Sequence, residues 1–405
     1  MTRLLVRDLA QLATPSAGPA PLRGRALRDV TVIEDAYVLC RDGVIEAVGP
    51  MRDLDARSTA ALDDELDGRH LCAVPGLVDC HTHPAWGGDR VAEFSLRAGG
   101  ASYEELHAAG GGILATVRAT RALDDGELQA RVARHAEWML RHGTTTWEGK
   151  SGYGLDRETE LASLRAIRAA GGSPTWLGAH AVPPEFEDAD SYLDFTLAEV
   201  LPEASQLADA ADVFLERGAF DAAQARRYLG ACRDAGLSLR LHGDQFTESG
   251  AIPLAVELGA RSVDHLEATG DDGARRLAAS DVVGVLLPAS ALFLDRPMPP
   301  GRSLVDAGAA VALATDFNPG SSFTESLPVV TTLACTQLHL APEEALSAVT
   351  INAAHVLGLA HDRGRIAPGL RADLVLLAAD DWRHLGYHLA GDIVVHVIQD
   401  GVLRR

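Results

Sequence analysis

The chain has 405 residues, 47% hydrophobic and 5% aromatic, enough for a large core and more than one domain. Thirty-six basic against 57 acidic residues give a formal charge of −21, which argues against nucleic acid and anionic membrane surfaces as partners. Five scattered cysteines without a Cys-x-x-Cys, no signal-peptide core and no apolar run of transmembrane length leave a soluble, cytoplasmic protein as the expectation.

Residues 1–75 are strand-rich. Stretches 29–39 and 43–48 flank Arg41-Asp42-Gly43, a hairpin signal. From Gly364 the chain returns to this style, with strands expected at 373–377 and 393–398 and a turn at Gln399-Asp400-Gly401. Two terminal segments of like character predict one small β-sandwich domain, built from residues 1–75 and 364–405 around a large middle, 76–363.

The middle alternates strand and helix. Eight strands are expected, at 77–81, 144–148, 175–180, 212–217, 237–242, 261–265, 282–288 and 310–316. Stretches such as 128–140, 158–170 and 222–235 carry the helical period, and Gly143, Gly171, Gly236, Gly259 and Gly308 stop helices before strands. Eight such units predict an α/β fold of the TIM-like (β/α)8 kind, with a doubly wound open sheet as the alternative. Gly110-Gly111-Gly112 reads as a loop and does not match a phosphate-cradling motif.

The chemistry concentrates at strand ends. The run Gly76-Leu77-Val78-Asp79-Cys80-His81-Thr82-His83-Pro84 closes on two histidines two residues apart, which an extended strand turns to one side, within reach of one metal ion. Cys80 falls on the opposite side and reads as a buried thiol. His242, His265 and Asp316 also end apolar runs, so several strands carry ligand-type groups to one barrel mouth. The histidines at 107, 135, 142 and 339 on helix-like stretches, and His384, His388 and His396 near the C-terminus, read as structural.

Longer motifs carry a resemblance. Pro75-Gly76-Leu77-Val78-Asp79 through His83, the Gly110–Ile113 loop with Ala119-Thr120-Arg121, Lys150-Ser151-Gly152-Tyr153-Gly154-Leu155, Leu177-Gly178-Ala179-His180-Ala181-Val182-Pro183 and Ala314-Thr315-Asp316-Phe317-Asn318-Pro319-Gly320-Ser321-Ser322 together resemble the imidazolonepropionases, amidohydrolase-superfamily enzymes of histidine degradation. The resemblance runs from about Leu71 to the C-terminus, and nothing functional is carried over to the first 70 residues or so. It implies hydrolysis of the cyclic amide of 4-imidazolone-5-propanoate to N-formimidoyl-L-glutamate. It implies one Zn²⁺ or Fe³⁺ per subunit held by His81, His83, His242 and Asp316, and a homodimer as the usual assembly. It also implies that Arg90, Tyr153 and His180 hold the substrate, with Asn318, Gly320 and Ser321 around its glutamate-like end. Lys150, which in dinuclear relatives would bridge two metals, is not counted as a ligand. Two positions depart from the pattern: Gly243 stands where alanine is common, and Gln245 where some members carry glutamate.

The residue chemistry is consistent with that implication. A metal lowers the pKa of water and polarises a carbonyl, Asp316 can carry a proton from the nucleophile to the departing nitrogen, and His265 can stabilise the developing charge. The planar guanidinium of Arg90 matches a carboxylate in two parallel hydrogen bonds. Tyr153 and His180 can donate hydrogen bonds, and the Gln245 amide can both donate and accept at an N–C=O edge. Two alternatives stay open: another cyclic amidohydrolase or heterocycle deaminase, and a metal-bearing barrel without catalysis. The carboxylate-gripping Arg90 argues against the first, and retention of Asp316 and His265 beyond metal binding argues against the second.

Overall fold

A computed structural model describes residues 3–55, 62–100 and 111–405, so His107 and Gly110 lie outside the described residues. The N-terminal segment forms β1 (Arg3–Pro15), β2 (Val30–Arg41), β3 (Val44–Pro50), β4 (Asp64–Asp67) and β5 (Cys72–Pro75). The middle supplies β6 (Leu77–Asp79), β7 (Thr144–Lys150), β8 (Ser173–Ala179), β9 (Ala210–Leu215), β10 (Ser238–Gly243), β11 (Ser262–His265), β12 (Val283–Leu286) and β13 (Val311–Leu313). The C-terminal segment adds β14 (Leu374–Leu377), β15 (Val394–Gln399) and β16 (Val402–Leu403).

Strands β6 to β13 are all parallel and neighbour one another in chain order. The first and last are joined just past their ends: Asp316 N–H donates to His81 O at 3.0 Å, and His83 N–H to Phe317 O at 2.9 Å. Asp79 staples the same seam from below, accepting from Thr315 Oγ1 at 2.6 Å and Thr315 N–H at 3.2 Å. The sheet is therefore closed, and the open doubly wound alternative is excluded. All eight expected strands form. The five glycines read as helix stops all adopt positive φ, between 68° and 96°, which a side chain would resist.

The terminal strands form a second sheet in the order β16-β15-β14-β5-β1-β2-β3, with β4 also on β1. It is continuous by hydrogen bonding, and alternate residues of β1, β2, β5, β14 and β15 meet in one apolar cluster around Val6, Leu9, Val38 and Leu376. The long β1 has no counterpart among the expected strands. Its register shifts between Val6 and Leu9, with Asp8 at φ 56°, and this bulge breaks the alternation that marks a strand in sequence. Between β1 and β2 the chain leaves the sheet to dock on the barrel, where Leu22 N–H donates to Asn352 Oδ1 at 2.7 Å and Leu27 is fully buried. No helix among the described residues is long and apolar enough to cross a membrane.

Candidate active site

The barrel's C-terminal mouth gathers the strand-end groups. His81 and His83 follow β6, His242 lies in β10, His265 ends β11 and Asp316 follows β13; all are at most 3% exposed. His81 Nε2 lies 3.3 Å from His83 Nε2, which is 3.4 Å from His242 Nε2. Asp316 Oδ1 stands 3.3 Å from His83 Nε2 and 3.6 Å from His81 Nε2. Donors about 2.0–2.2 Å from a tetrahedral metal are separated by edges of about 3.3–3.6 Å, so these four contacts have the length of a ligand edge; His81, His83 and His242 form one group that could hold a cation, and Asp316 approaches it through His81 and His83.

The far side of the rings points to the same conclusion. His81 Nδ1–H donates to Asp264 Oδ2 at 2.6 Å, and His242 Nδ1 faces Asp212 Oδ1 at 3.0 Å. With protons on Nδ1, both Nε2 atoms turn lone pairs towards His83 Nε2, and His81 Nε2 also lies 3.6 Å from Asp316 Oδ1. A cation is the group that such a donor set fits. His265 lies with His81 and Asp316 in a second group whose ligand atoms fall within 4.8 Å of one another. Its Nδ1 is 3.5 Å from Glu267 Oε1; burial alone would lower its pKa, but the Glu267 carboxylate raises it above the ordinary histidine range. His265 (φ 86°) and Asp316 (φ 54°) both occupy left-handed backbone, a conformation that costs about 1–3 kcal/mol per non-glycine residue and clusters at functional sites.

A cavity of about 480 Å³ opens above these groups. It brings together Arg90, Tyr153, His180, Gln245, Asn318, Gly320 and Ser321, every expected contact residue beyond the metal set. Their local roles differ from expectation in three respects. Arg90 does not present a free fork: its Nε donates to Glu93 Oε2 at 3.0 Å and its Nη2 pairs with Glu93 Oε1, leaving Nη1 against Gly320. Glu93 is itself held by Gly112 N–H at 2.8 Å. His180 donates from Nδ1 to Gly152 O at 2.9 Å, so its Nε2 is an acceptor instead of the expected donor; burial, with His83 and His242 nearby, lowers its pKa to about 3. Asn318 uses its amide within the loop, donating to Asp316 O at 2.6 Å and Ser321 Oγ at 2.8 Å and accepting from Gly320 N–H and Ser321 N–H, both at 2.8 Å.

Tyr153, Ser321 and Gln245 also line this cavity. Tyr153 is buried, and burial beside Asp316 raises its pKa, so the phenol stays a donor. Ser321 Oγ donates to Asp316 Oδ2 at 3.3 Å. Gln245 is 9% exposed, faces the cavity, and its amide makes no hydrogen bond to the described residues. The departure at Gly243 has a steric cause: a Cβ there would lie 2.1 Å from Ala251 Cβ. The placement of His180 also has a local cause. β8 breaks its register with β9 between Trp176 and Ala179, and Gly178 there donates to Tyr228 Oη at 3.1 Å and accepts from Tyr192 Oη at 2.7 Å.

Sequence reasoning passed over Glu93, Asp212, Asp264, Glu267 and the buried pair Glu148 and Arg240. The available signal was acidic residues inside otherwise apolar strands, since a buried carboxylate requires a partner. Lys150 is fully buried, with Nζ 2.8 Å from Glu148 Oε1 and 2.7 Å from Asp212 Oδ2. Burial would lower its pKa, but Asp212 and Glu148 raise it, so it stands as an ammonium and offers no lone pair to a metal. Cys80 is fully buried and packs with Val78, Val283 and Ala312, away from the site.

Residues 72–403 match the model of the amidohydrolase family. An imidazolonepropionase from Rubrobacter xylanophilus is 58% identical over 409 residues, covering 99% of this chain and 98% of that protein. An imidazolonepropionase from Chloroflexus aggregans is 46% identical, covering 98% of this chain and 97% of that protein. Among solved structures, an adenosine deaminase from Xanthomonas campestris with bound zinc superimposes with a TM-score of 0.71 at 19% identity, over 100% of this chain and 93% of that one, which shows a shared fold.

Proposed function

The chain belongs to the amidohydrolase family and, within it, to the imidazolonepropionases, and from that premise we propose that it opens the ring of 4-imidazolone-5-propanoate to N-formimidoyl-L-glutamate. The observation that carries the reading is the group of three imidazoles, with Asp316 Oδ1 against two of them, at a cavity that Arg90 also lines. A Zn²⁺ or Fe³⁺ ion held by His81, His83, His242 and Asp316 would supply Lewis acidity and bring the pKa of water towards about 7.

The chain's own residues do the rest. Water adds to the ring carbonyl carbon, the bond from that carbon to the ring nitrogen breaks, and one proton passes from water to the departing nitrogen. Asp316 carries that proton on Oδ2: Oδ1 faces the histidines, whereas Oδ2 has Ser321 Oγ as its neighbour. His265, its ring charge supported by Glu267, donates to the oxygen on which charge grows. His180 Nε2 accepts from a ring N–H, Tyr153 donates, and Gln245 orients the N–C=O edge. Arg90 Nη1 receives the propanoate, beside the backbone of Gly320 and Ser321. Residues 76–363 form the catalytic barrel in this reading, and residues 1–75 with 364–405 its supporting sheet.

The test is the ultraviolet absorbance of freshly prepared imidazolonepropanoate. The purified protein should accelerate its decay and release N-formimidoyl-L-glutamate, a chelator should stop it, and added Zn²⁺ or iron should restore it. Decay at the uncatalysed rate with metal bound would overturn the reading.

A further inference from the structure

Beneath the metal-type donors lies a charged group that none of the roles above uses. Lys150 projects from β7 into the barrel interior and is fully buried, as are the three carboxylates around it. Two of these carboxylates are the ones behind the histidines. Lys150 Nζ is 2.7 Å from Asp212 Oδ2, whose other oxygen faces His242 Nδ1 at 3.0 Å. It is 3.8 Å from Asp264 Oδ2, the atom that accepts from His81 Nδ1 at 2.6 Å. Asp212 also accepts the backbone N–H of His242 at 3.1 Å. The third carboxylate, Glu148, accepts from Lys150 at 2.8 Å and is paired independently by Arg240.

We propose that Lys150 is the positioning residue of the metal centre: one ammonium holds both Asp212 and Asp264, which in turn hold His242 and His81 with Nδ1 protonated and Nε2 free. The inference rests on the assignment of His81, His83, His242 and Asp316 as ligands. The physical reason for a single shared cation is geometric. Asp212 and Asp264 stand on β9 and β11, either side of β10, and two buried carboxylates so close repel unless a positive charge lies between them. A histidine presents an Nε2 lone pair only while Nδ1 keeps its proton against a carboxylate, and loss of such a partner typically weakens metal binding by about 10–100-fold.

The experiment measures Zn²⁺ affinity of the metal-free protein by competition with a chromogenic chelator, alongside the absorption bands of the Co²⁺-loaded protein. Lys150→Met keeps the volume and removes the charge. The expected result is a Kd for Zn²⁺ at least about 10-fold weaker, with altered Co²⁺ bands. A change smaller than that, with parent-like Co²⁺ bands and only a lower Tm of the metal-free protein, would make Lys150 a packing residue and overturn the proposal. Lys150→Met combined with Glu148→Gln removes one charge of each sign and touches no histidine partner. Should the single variant fail to fold, this double variant replaces it, with the same expected loss of affinity and the same overturning result. Glu148→Gln alone leaves the ammonium on both aspartates and should bind Zn²⁺ within a few-fold of the parent; a loss as large as that of Lys150→Met would also overturn the proposal. Failure of the parent protein to bind Zn²⁺ or Co²⁺ at all would instead count against the ligand assignment itself.

Discussion

Gly320→Ala isolates the proposed carboxylate contact better than any change to Arg90. A Cβ at position 320 would sit 2.0 Å from Arg90 Nη1, 2.9 Å from Cζ and 3.5 Å from Nε. Non-bonded carbon contacts settle near 3.5 Å, so Nη1 must retreat by about 1.5 Å. Gly320 does not occupy left-handed backbone, so alanine adds no strain of its own, and the displaced group is the end of a flexible side chain. Stability should therefore hardly change. The guanidinium, however, is anchored on its other edge by Glu93, which Gly112 N–H fixes in turn, so it cannot move and keep its direction. Losing or misdirecting a charge-assisted hydrogen bond costs about 1.5–3 kcal/mol, or roughly 10- to 100-fold in kcat/KM. The assay is steady-state kinetics on imidazolonepropanoate and on the analogue with an ethyl group in place of the propanoate, with Tm as control. The loss should fall on the carboxylate-bearing substrate, mainly in KM. Parent-like kinetics on both compounds, or an equal loss on both, would refute the reasoning.

Asp316→Asn keeps an oxygen for the metal and loses the proton carrier, so kcat should fall by at least about 10²-fold while elemental analysis still finds metal; normal turnover would move the proton shuttle elsewhere. Gln245→Leu keeps the volume of a cavity-facing amide that has no partner among the described residues, and should raise KM and lower kcat with metal content unchanged; kinetics like the parent's across pH 6–9 would leave the amide without a role. His135 is buried against Trp86 and donates to Pro84 O at 2.8 Å; burial lowers its pKa from 6.5 to about 4. Its depressed value means that the stability it contributes is complete above about pH 6.5 and is lost as pH falls towards 4, a change of about 3 kcal/mol. His135→Asn keeps a donor to Pro84 and should flatten the fall of Tm over that window; an unchanged slope would place the acid sensitivity on other groups.

The barrel was legible because its grammar is local. Helix-ending glycines and apolar runs closing on polar residues mark the eight units, and the metal-type donors fall at the ends of those runs. What stayed hidden depends on neighbours distant in sequence. Asp212 and Asp264 look like stray charges in apolar strands until the closed barrel sets their side chains against His242 and His81. Glu93 looks like one more surface acid on a helix until the loop at Gly112 folds back on it. The tautomer of His180 follows from a carbonyl 28 residues away, and β1 escapes notice because its bulge scrambles the alternation.

The terminal sheet has a consequence for synthesis on the ribosome. β5 pairs with β1 on one side and β14 on the other, and the second partner is made about 300 residues later. At about 5–20 residues per second, that edge of β5 has no strand to meet for roughly 15–60 s while the entire barrel is translated. A nascent chain thus displays an apolar, unpaired strand edge for most of its manufacture, the kind of surface that invites pairing between chains. Yield in the cell should therefore respond to elongation rate and to holdase chaperones more than the stability of the finished enzyme would suggest.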